Sequence, residues 1–345
     1  MNKNGSTVLI SHGHGGESIA PPLLKFTSHL DCVLGTNDSG GSTGILRKDR
    51  NHDDPSRKHC AYGDSIRVME SLLPRGTEAE KIRARLFGAR FNDRKYSKYN
   101  GHKIRNWDLG WLVEQWQGQG CIEDAFPLAL EELCKAANIP ANCRFLPMSV
   151  QSANICAVPR LTKLETDHPR ETIFRREHLL DNRRKNAHPI TDAFLHPRPH
   201  IHSWTQKAIL DAQKIAISSG SWWPTIALTD TIGYPETLQA SSAFKILIMN
   251  LIAKENDTAW DDAKSFVELL RVKLGISSFD AVLCNDPRSL PKHVLTAYAK
   301  EFAKPVRVSK RIPGAKRVII GNFASWREDG RVFHNERTAE VIARL

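Results

Sequence analysis

The sequence lacks any run approaching the roughly 18 apolar residues that a membrane-crossing helix needs. Its earliest apolar stretch, Thr7 to Ile10, is far too short for the core of a secretory signal. From these absences we expect a cytoplasmic protein with no membrane partner. A C-x-x-C pair is also missing. The seven cysteines (Cys32, Cys60, Cys121, Cys134, Cys143, Cys156 and Cys284) are odd in number and scattered. That pattern argues against a disulfide frame or a zinc knuckle and for reduced thiols in a core. No internal repeat and no low-complexity tract occurs, which excludes a solenoid.

What is present is a chain of 345 residues with 41% hydrophobic and 25% charged residues, ordinary for a folded protein. We read residues 1–345 as a single α/β domain with two excursions, a basic one at about 75–110 and a polar one at about 157–190. The formal net charge is +11, and nine Lys or Arg stand against one acid, Asp93, between Lys81 and Arg105. Such a block fits a solvated loop, an edge that steers a small anion, or a nucleic-acid surface. Phe87, Phe91, Tyr96 and Tyr99 interleave it, yet no nucleic-acid-binding signature accompanies them, so nucleic acid is the least expected partner.

The apolar pattern alternates between short runs and helical stretches. Thr7–Ile10 leads into a helical pattern with Pro21-Pro22 near its start and Leu23, Leu24 and Phe26 on its buried side. Cys32–Gly35 reads as a second strand, and helices are expected over Asp64–Leu73, Trp107–Gln117 and Ile122–Ala137. Further strands are expected at Arg144–Met148, Lys214–Ile217, Phe244–Met249, Ala281–Cys284 and Arg317–Ile320. Helices over Lys207–Gln213, Trp260–Leu270 and Thr338–Leu345 complete the pattern, and residues 48–60 read as a polar loop. This is the rhythm of a doubly wound, mainly parallel sheet with helices on both faces.

Three of the apolar runs end in small-residue turns: Gly13-His14-Gly15-Gly16, Gly40-Gly41-Ser42-Thr43-Gly44 and Ser218-Ser219-Gly220-Ser221. In a parallel sheet all three would emerge at the carboxyl ends of strands, where ligands bind. Glycine lets a backbone approach a phosphate, and helix N-terminal amides supply donors, although such turns also serve any tight connection. Asp38 precedes the second of these turns, and Asp64 lies a little downstream of it. Each could hold magnesium or orient a hydroxyl, or simply cap a turn or helix. His12 and His14 could ligate a metal, for which two histidines alone are too few, or line an anion site.

Taken together, these segments resemble the family of the 2-phospholactate transferase CofD and the YvcK-type gluconeogenesis factors. Asp38-Ser39-Gly40-Gly41-Ser42-Thr43-Gly44-Ile45-Leu46-Arg47 is similar to the family's D-D-G-G-S-S-G-R-L-R segment, and Gly63-Asp64-Ser65-Ile66-Arg67 to its G-D-I-R-N segment. Asp108-Leu109-Gly110-Trp111 resembles its G-H-S-L-G-N helix start. The run Ala208 to Ser221 resembles A-I-x-x-A-D-x-I-x-x-G-P-G-S, and Asn250-Leu251-Ile252 stands where N-I-M follows the next strand. The chain departs from the pattern at Ser39, Trp107, Trp111 and Ser219. The resemblance implies a Rossmann-like fold that binds a nucleotide-diphosphate or nucleotide-sugar ligand. It places Gly13–Gly16, Ser39–Gly44, Arg67, Ser218–Ser221 and Asn250 around that ligand, with Asp38 and Asp64 as catalytic groups near magnesium. Two functions follow from it: transfer of a phospholactyl-like group, or nucleotide-sugar binding without turnover by a metabolic regulator. Reduction of the acidic pair to Asp38-Ser39 tilts toward the second. A homo-oligomer is compatible with either.

Overall fold

The computed structural model describes residues 4–12, 14–37, 60–92, 100–159, 174–175, 190–218, 220, 222–254 and 262–345. Along the chain these form β1 (Asn4–Ser11), α1 (Gly15–Phe26), β2 (Thr27–Leu34), α2 (Gly63–Leu72), α3 (Glu78–Phe87), α4 (Arg105–Gly118) and α5 (Ala125–Ala137). Next come β3 (Cys143–Pro147), β4 (Asn154–Pro159), β5 (Phe174–Arg175), β6 (Ile190–His196), α6 (Ser203–Asp211) and β7 (Lys214–Ser218). They are followed by α7 (Trp222–Leu228), α8 (Tyr234–Ala240), β8 (Phe244–Ile248), β9 (Ile252–Lys254), α9 (Ala263–Leu274) and β10 (Ala281–Asn285). The chain closes with α10 (Lys292–Lys300), β11 (Ala303–Pro305), β12 (Val318–Gly321), β13 (Ala324–Trp326), β14 (Val332–His334) and α11 (Glu336–Arg344).

Seven strands build one sheet in the order β12-β10-β8-β7-β1-β2-β3, and every pairing in it is parallel. The chain winds outward from β1 through β2 to β3, then returns to β7 on the other side of β1 and winds outward again. That reversal makes β1 and β7 the topological switch point, where a crevice opens beyond the strand ends. Alternation along the strands feeds two cores. Val8, Ile10, Val33, Ile215, Ile217 and Leu247 pack under α6 to α9, while Leu9, Cys32, Leu34, Ala216, Ile246 and Leu283 pack under α1, α2, α4, α5 and α11. Burial on both faces explains why the strands read as continuous apolar runs.

The observed elements differ from the expected ones in instructive places. Helix α1 starts at Gly15, directly after the first turn, so Pro21 and Pro22 sit in its middle, with Ile19, Ala20 and Leu23 buried. Proline there donates no amide to the preceding turn, and the helix ends soon after, at Phe26. Strand β2 follows with no loop, beginning at Thr27, well before Cys32. Strands β4 and β6 were not foreseen. They pair antiparallel beside the region read as a polar excursion, and Ile155, Ala157, Ala193 and Leu195 join the core under α7. The C-terminal hairpin of β13 and β14 was also not foreseen. The polar segment 48–59 lies outside the described residues.

His334 ends β14 in a buried position, and loss of water lowers its pKa from 6.5 to about 4, against a weaker opposing bond with the Met249 backbone. The unfolded chain therefore takes up a proton below pH about 6.5 that the folded chain refuses until pH about 4. Stability from this group is intact above the upper value and is lost as pH falls through that window, by about 3 kcal/mol at most. Chemical denaturation of His334→Gln across the window should show a flatter loss of stability than the parent. A parallel loss in both proteins would contradict the assignment.

Candidate functional site

The crevice at the switch point is built first by two glycines. A Cβ at Gly16 would lie 2.5 Å from Ser11 Oγ and 2.9 Å from Val68 Cγ2. Without it, the first turn of α1 settles directly on the end of β1. A Cβ at Gly35, just past β2, would collide with the ring of His12. Both contacts require the missing side chain and not an unusual backbone.

Ser11 and Ser218 are in register at the carboxyl ends of β1 and β7. Their hydroxyls are buried and have no hydrogen-bond partner among the described residues. The same is true of Ser65 Oγ at the start of α2, of both amide atoms of Asn37 beyond β2, and of Asn250 Oδ1 beyond β8. The Asn250 amide nitrogen donates to the Gly220 carbonyl at 2.9 Å, which fixes the orientation of that oxygen. Buried polar atoms in native proteins are almost always satisfied. So many orphans on neighbouring strand ends call for partners that the described residues do not supply, a ligand or, in the cavity of about 10 Å³ that Ser11, His12 and Ser218 line, a water.

His12 is buried beside them, with Nδ1 3.3 Å from Asp64 Oδ2, an ion-pair distance without hydrogen-bond geometry, and with Nε2 unpartnered. Asp64 is itself buried in the first turn of α2, and Arg67 Nη1 lies 3.5 Å from its other oxygen. The same guanidinium donates to His14 Nδ1 at 3.4 Å. Desolvation, and next the positive field of Arg67, lower the pKa of His14; Arg331 acts in the same direction. Helix α1 begins here with no side-chain cap, leaving amides of its first turn available to an anion. Arg327 from the C-terminal hairpin pairs with Glu17 in that first turn at 3.0 Å.

The structure thus brings His14, Gly15, Gly16, Asp64, Arg67, Ser218, Gly220 and Asn250 to one end of the sheet. Gly13, Asp38, Ser39, Gly40, Gly41, Ser42, Thr43, Gly44, Ser219 and Ser221 lie outside the described residues. Ser218 is the last residue of β7 and not part of a turn. Sequence reasoning gave no weight to Ser11, Asn37, Arg327 or Arg331. A small polar residue ending an apolar strand could have pointed to Ser11, but nothing local connects the two arginines to α1.

Described residues do not make a resident magnesium site. No group of three or more metal-ligating side chains occurs among them. The one expected ligand within them, Asp64, already faces a guanidinium and an imidazole. The basic block is likewise partly spent: Lys81 pairs with Glu78, Lys103 with Glu70 and Arg105 with Asp108. No described helix is long and apolar enough to cross a membrane.

The family described as 2-phospho-L-lactate transferase CofD matches residues 7–323. The chain belongs to the CofD family. A curated relative, the gluconeogenesis factor of Halalkalibacterium halodurans, is 25% identical, with 99% of this chain and 96% of that protein covered. A crystal structure of a Bacillus halodurans protein superposes with a TM-score of 0.80 at 24% identity, covering 99% of both chains. A second crystal structure, of a UPF0052 family member from the same organism, gives 0.80 at 23% identity, covering 98% of this chain and 99% of that one. These two likenesses establish the shared α/β fold.

Gly35→Ala tests how the crevice is built. The added methyl should push the His12 ring from its place beside Asp64 and cost about 1–3 kcal/mol of overpacking. Urea denaturation should report the loss, and the His12 imidazole resonances should shift. A variant as stable as the parent with unmoved resonances would contradict the packing described.

Proposed function

We propose that this CofD-family chain binds a nucleotide diphosphate or nucleotide sugar at the crevice beyond β1 and β7 and acts as a metabolic regulator of the gluconeogenesis-factor kind. The observation that carries the reading is the set of buried, unpartnered polar atoms on Ser11, Asn37, Ser65, Ser218 and Asn250. They suit a ligand rich in acceptors and hydroxyls. Phosphate oxygens would meet the first-turn amides of α1, with Arg67 and Arg331 supplying positive charge. The ribose or sugar hydroxyls would meet the serines and asparagines. In this reading Gly40–Gly44 and Ser219–Ser221 extend the cradle, and any magnesium arrives with the phosphates and meets Asp38.

The regulator is preferred to the phospholactyl transferase for two reasons. The curated relative is named a gluconeogenesis factor. Asp64, the described carboxylate expected to act in transfer, is engaged by His12 and Arg67. A carboxylate so paired is suited to holding those groups in place.

The test uses calorimetric titration with GDP, UDP and UDP-N-acetylglucosamine, with and without magnesium, on the parent and on Ser218→Ala. Removing an unpartnered buried hydroxyl should leave stability unchanged or slightly raised, because nothing is left unsatisfied. Affinity should fall about fivefold, the equivalent of about 1 kcal/mol for a lost hydrogen bond. Equal affinity in both proteins, or no binding by any of the three, would overturn the site. Phosphorus NMR on the bound nucleotide decides between the two functions. With magnesium, a donor carrying phospholactate in diphosphate linkage to the nucleoside and an alcohol acceptor, an unchanged spectrum supports the regulator, whereas loss of the diphosphate signals, with nucleoside monophosphate released and a phosphodiester formed on the acceptor, would make the chain a transferase.

A further inference from the structure

A second cleft lies at the other end of the sheet, and its chemistry differs. It has a volume of about 560 Å³ and sits between α6 and the amino-terminal halves of β1, β2 and β3. That volume is the size of a small-molecule site. Strand β2 should be apolar on both faces in an all-parallel sheet, yet it places His29 and Asp31 on this face. Asp31 is only 5% exposed. Arg144 of β3 grips its carboxylate in two-pronged fashion, Nε to Oδ1 at 2.8 Å and Nη2 to Oδ2 at 3.0 Å. His29 Nε2 adds a third contact at 3.0 Å.

Only the carboxylate of this pair is buried and Arg144 is half-exposed, so the pair is a poor source of stability. What it achieves is to hold a guanidinium rigidly at the wall of the cleft. The two contacts with Asp31 use Nε and Nη2, and Arg144 itself lines the cleft. Glu131 of α5 lines the same cleft and is near enough to Arg144 for its charge to be felt there. Lys207 stands on the α6 wall, paired 3.0 Å from Asp211, but both groups are largely in water, so the pair is weak and readily exchanged. Trp204, half-buried on the same helix, offers a flat apolar surface.

We propose that this cleft binds a small zwitterion of the α-amino-acid type. Its carboxylate is taken by Arg144 and Lys207, its ammonium by Glu131, and its side chain lies on Trp204. Adjacent charges of opposite sign on the wall match the adjacent charges around the α-carbon of such a ligand. An anion alone would face Glu131, and a cation alone would face Arg144. The site is separate from the nucleotide crevice, because one lies at the amino ends of the strands and the other beyond their carboxyl ends.

The twenty common L-amino acids at millimolar concentration, titrated calorimetrically into the full chain, provide the test. At least one should bind, and its analogues lacking the amino or the carboxylate group should bind about tenfold more weakly. Lys207→Ala, an exposed change that should leave the folded protein as stable as the parent, should weaken binding by about the same factor. Saturating GDP should not displace the amino acid. The proposal is overturned if no amino acid binds, if a singly charged analogue binds equally well, if Lys207→Ala has no effect, or if GDP competes.

Discussion

Close approach of α1 to the end of β1 is the constraint on which the rest of the crevice depends. It is possible because Gly16 presents no Cβ to Ser11 and Val68. The first turn of α1 consequently sits over the strand end, with no side chain capping it. Gly35 performs the matching service just past β2, letting the His12 ring lie over the backbone and reach toward Asp64. Two absent side chains thereby set where the helix, the imidazole and the carboxylate meet. The arginines then follow: Arg67 is one helical turn beyond Asp64, and Arg327 reaches Glu17 only because the C-terminal hairpin folds back over α1.

The central sheet was legible because burial on both faces leaves an unambiguous apolar signature. Lys214–Ile217, Phe244–Met249 and Ala281–Cys284 were read nearly to their ends for that reason. Elements with weaker burial were not. Strand β6 carries Thr191 and Asp192 among its apolar residues, and the hairpin strands are three residues each. Such segments take their conformation from neighbours distant in sequence. Strand β2 was read too short because His29 and Asp31 interrupt its apolar run, and the interruption has its own structural cause in Arg144. Of the candidate site, the glycine turn and Asp64 with Arg67 were visible as local patterns. Ser11, Asn37 and the hairpin arginines acquire meaning only once the strand ends are assembled side by side.

The two ends of the sheet solve the problem of buried polarity in opposite ways, and the difference bears on what each end can do. Asp31 at the amino end is saturated within the protein: two bonds from Arg144 and one contact from His29 satisfy the carboxylate. A satisfied network is rigid, and a ligand there gains what the network displays outward without disturbing it. Ser11, Asn37, Ser65 and Ser218 at the carboxyl end have no such closure among the described residues. Each unsatisfied buried group costs the folded chain stability that a correctly shaped ligand can return. Occupancy of the crevice should therefore be coupled to the stability of the strand ends and of α1 and α2, which meet there. If local order depended on ligand in this way, the proposed regulator would have the physical requirement for a sensor, because binding would change the surface it offers to others. The amino-end cleft, already ordered, lacks that coupling, so its ligand would be held without reshaping the fold.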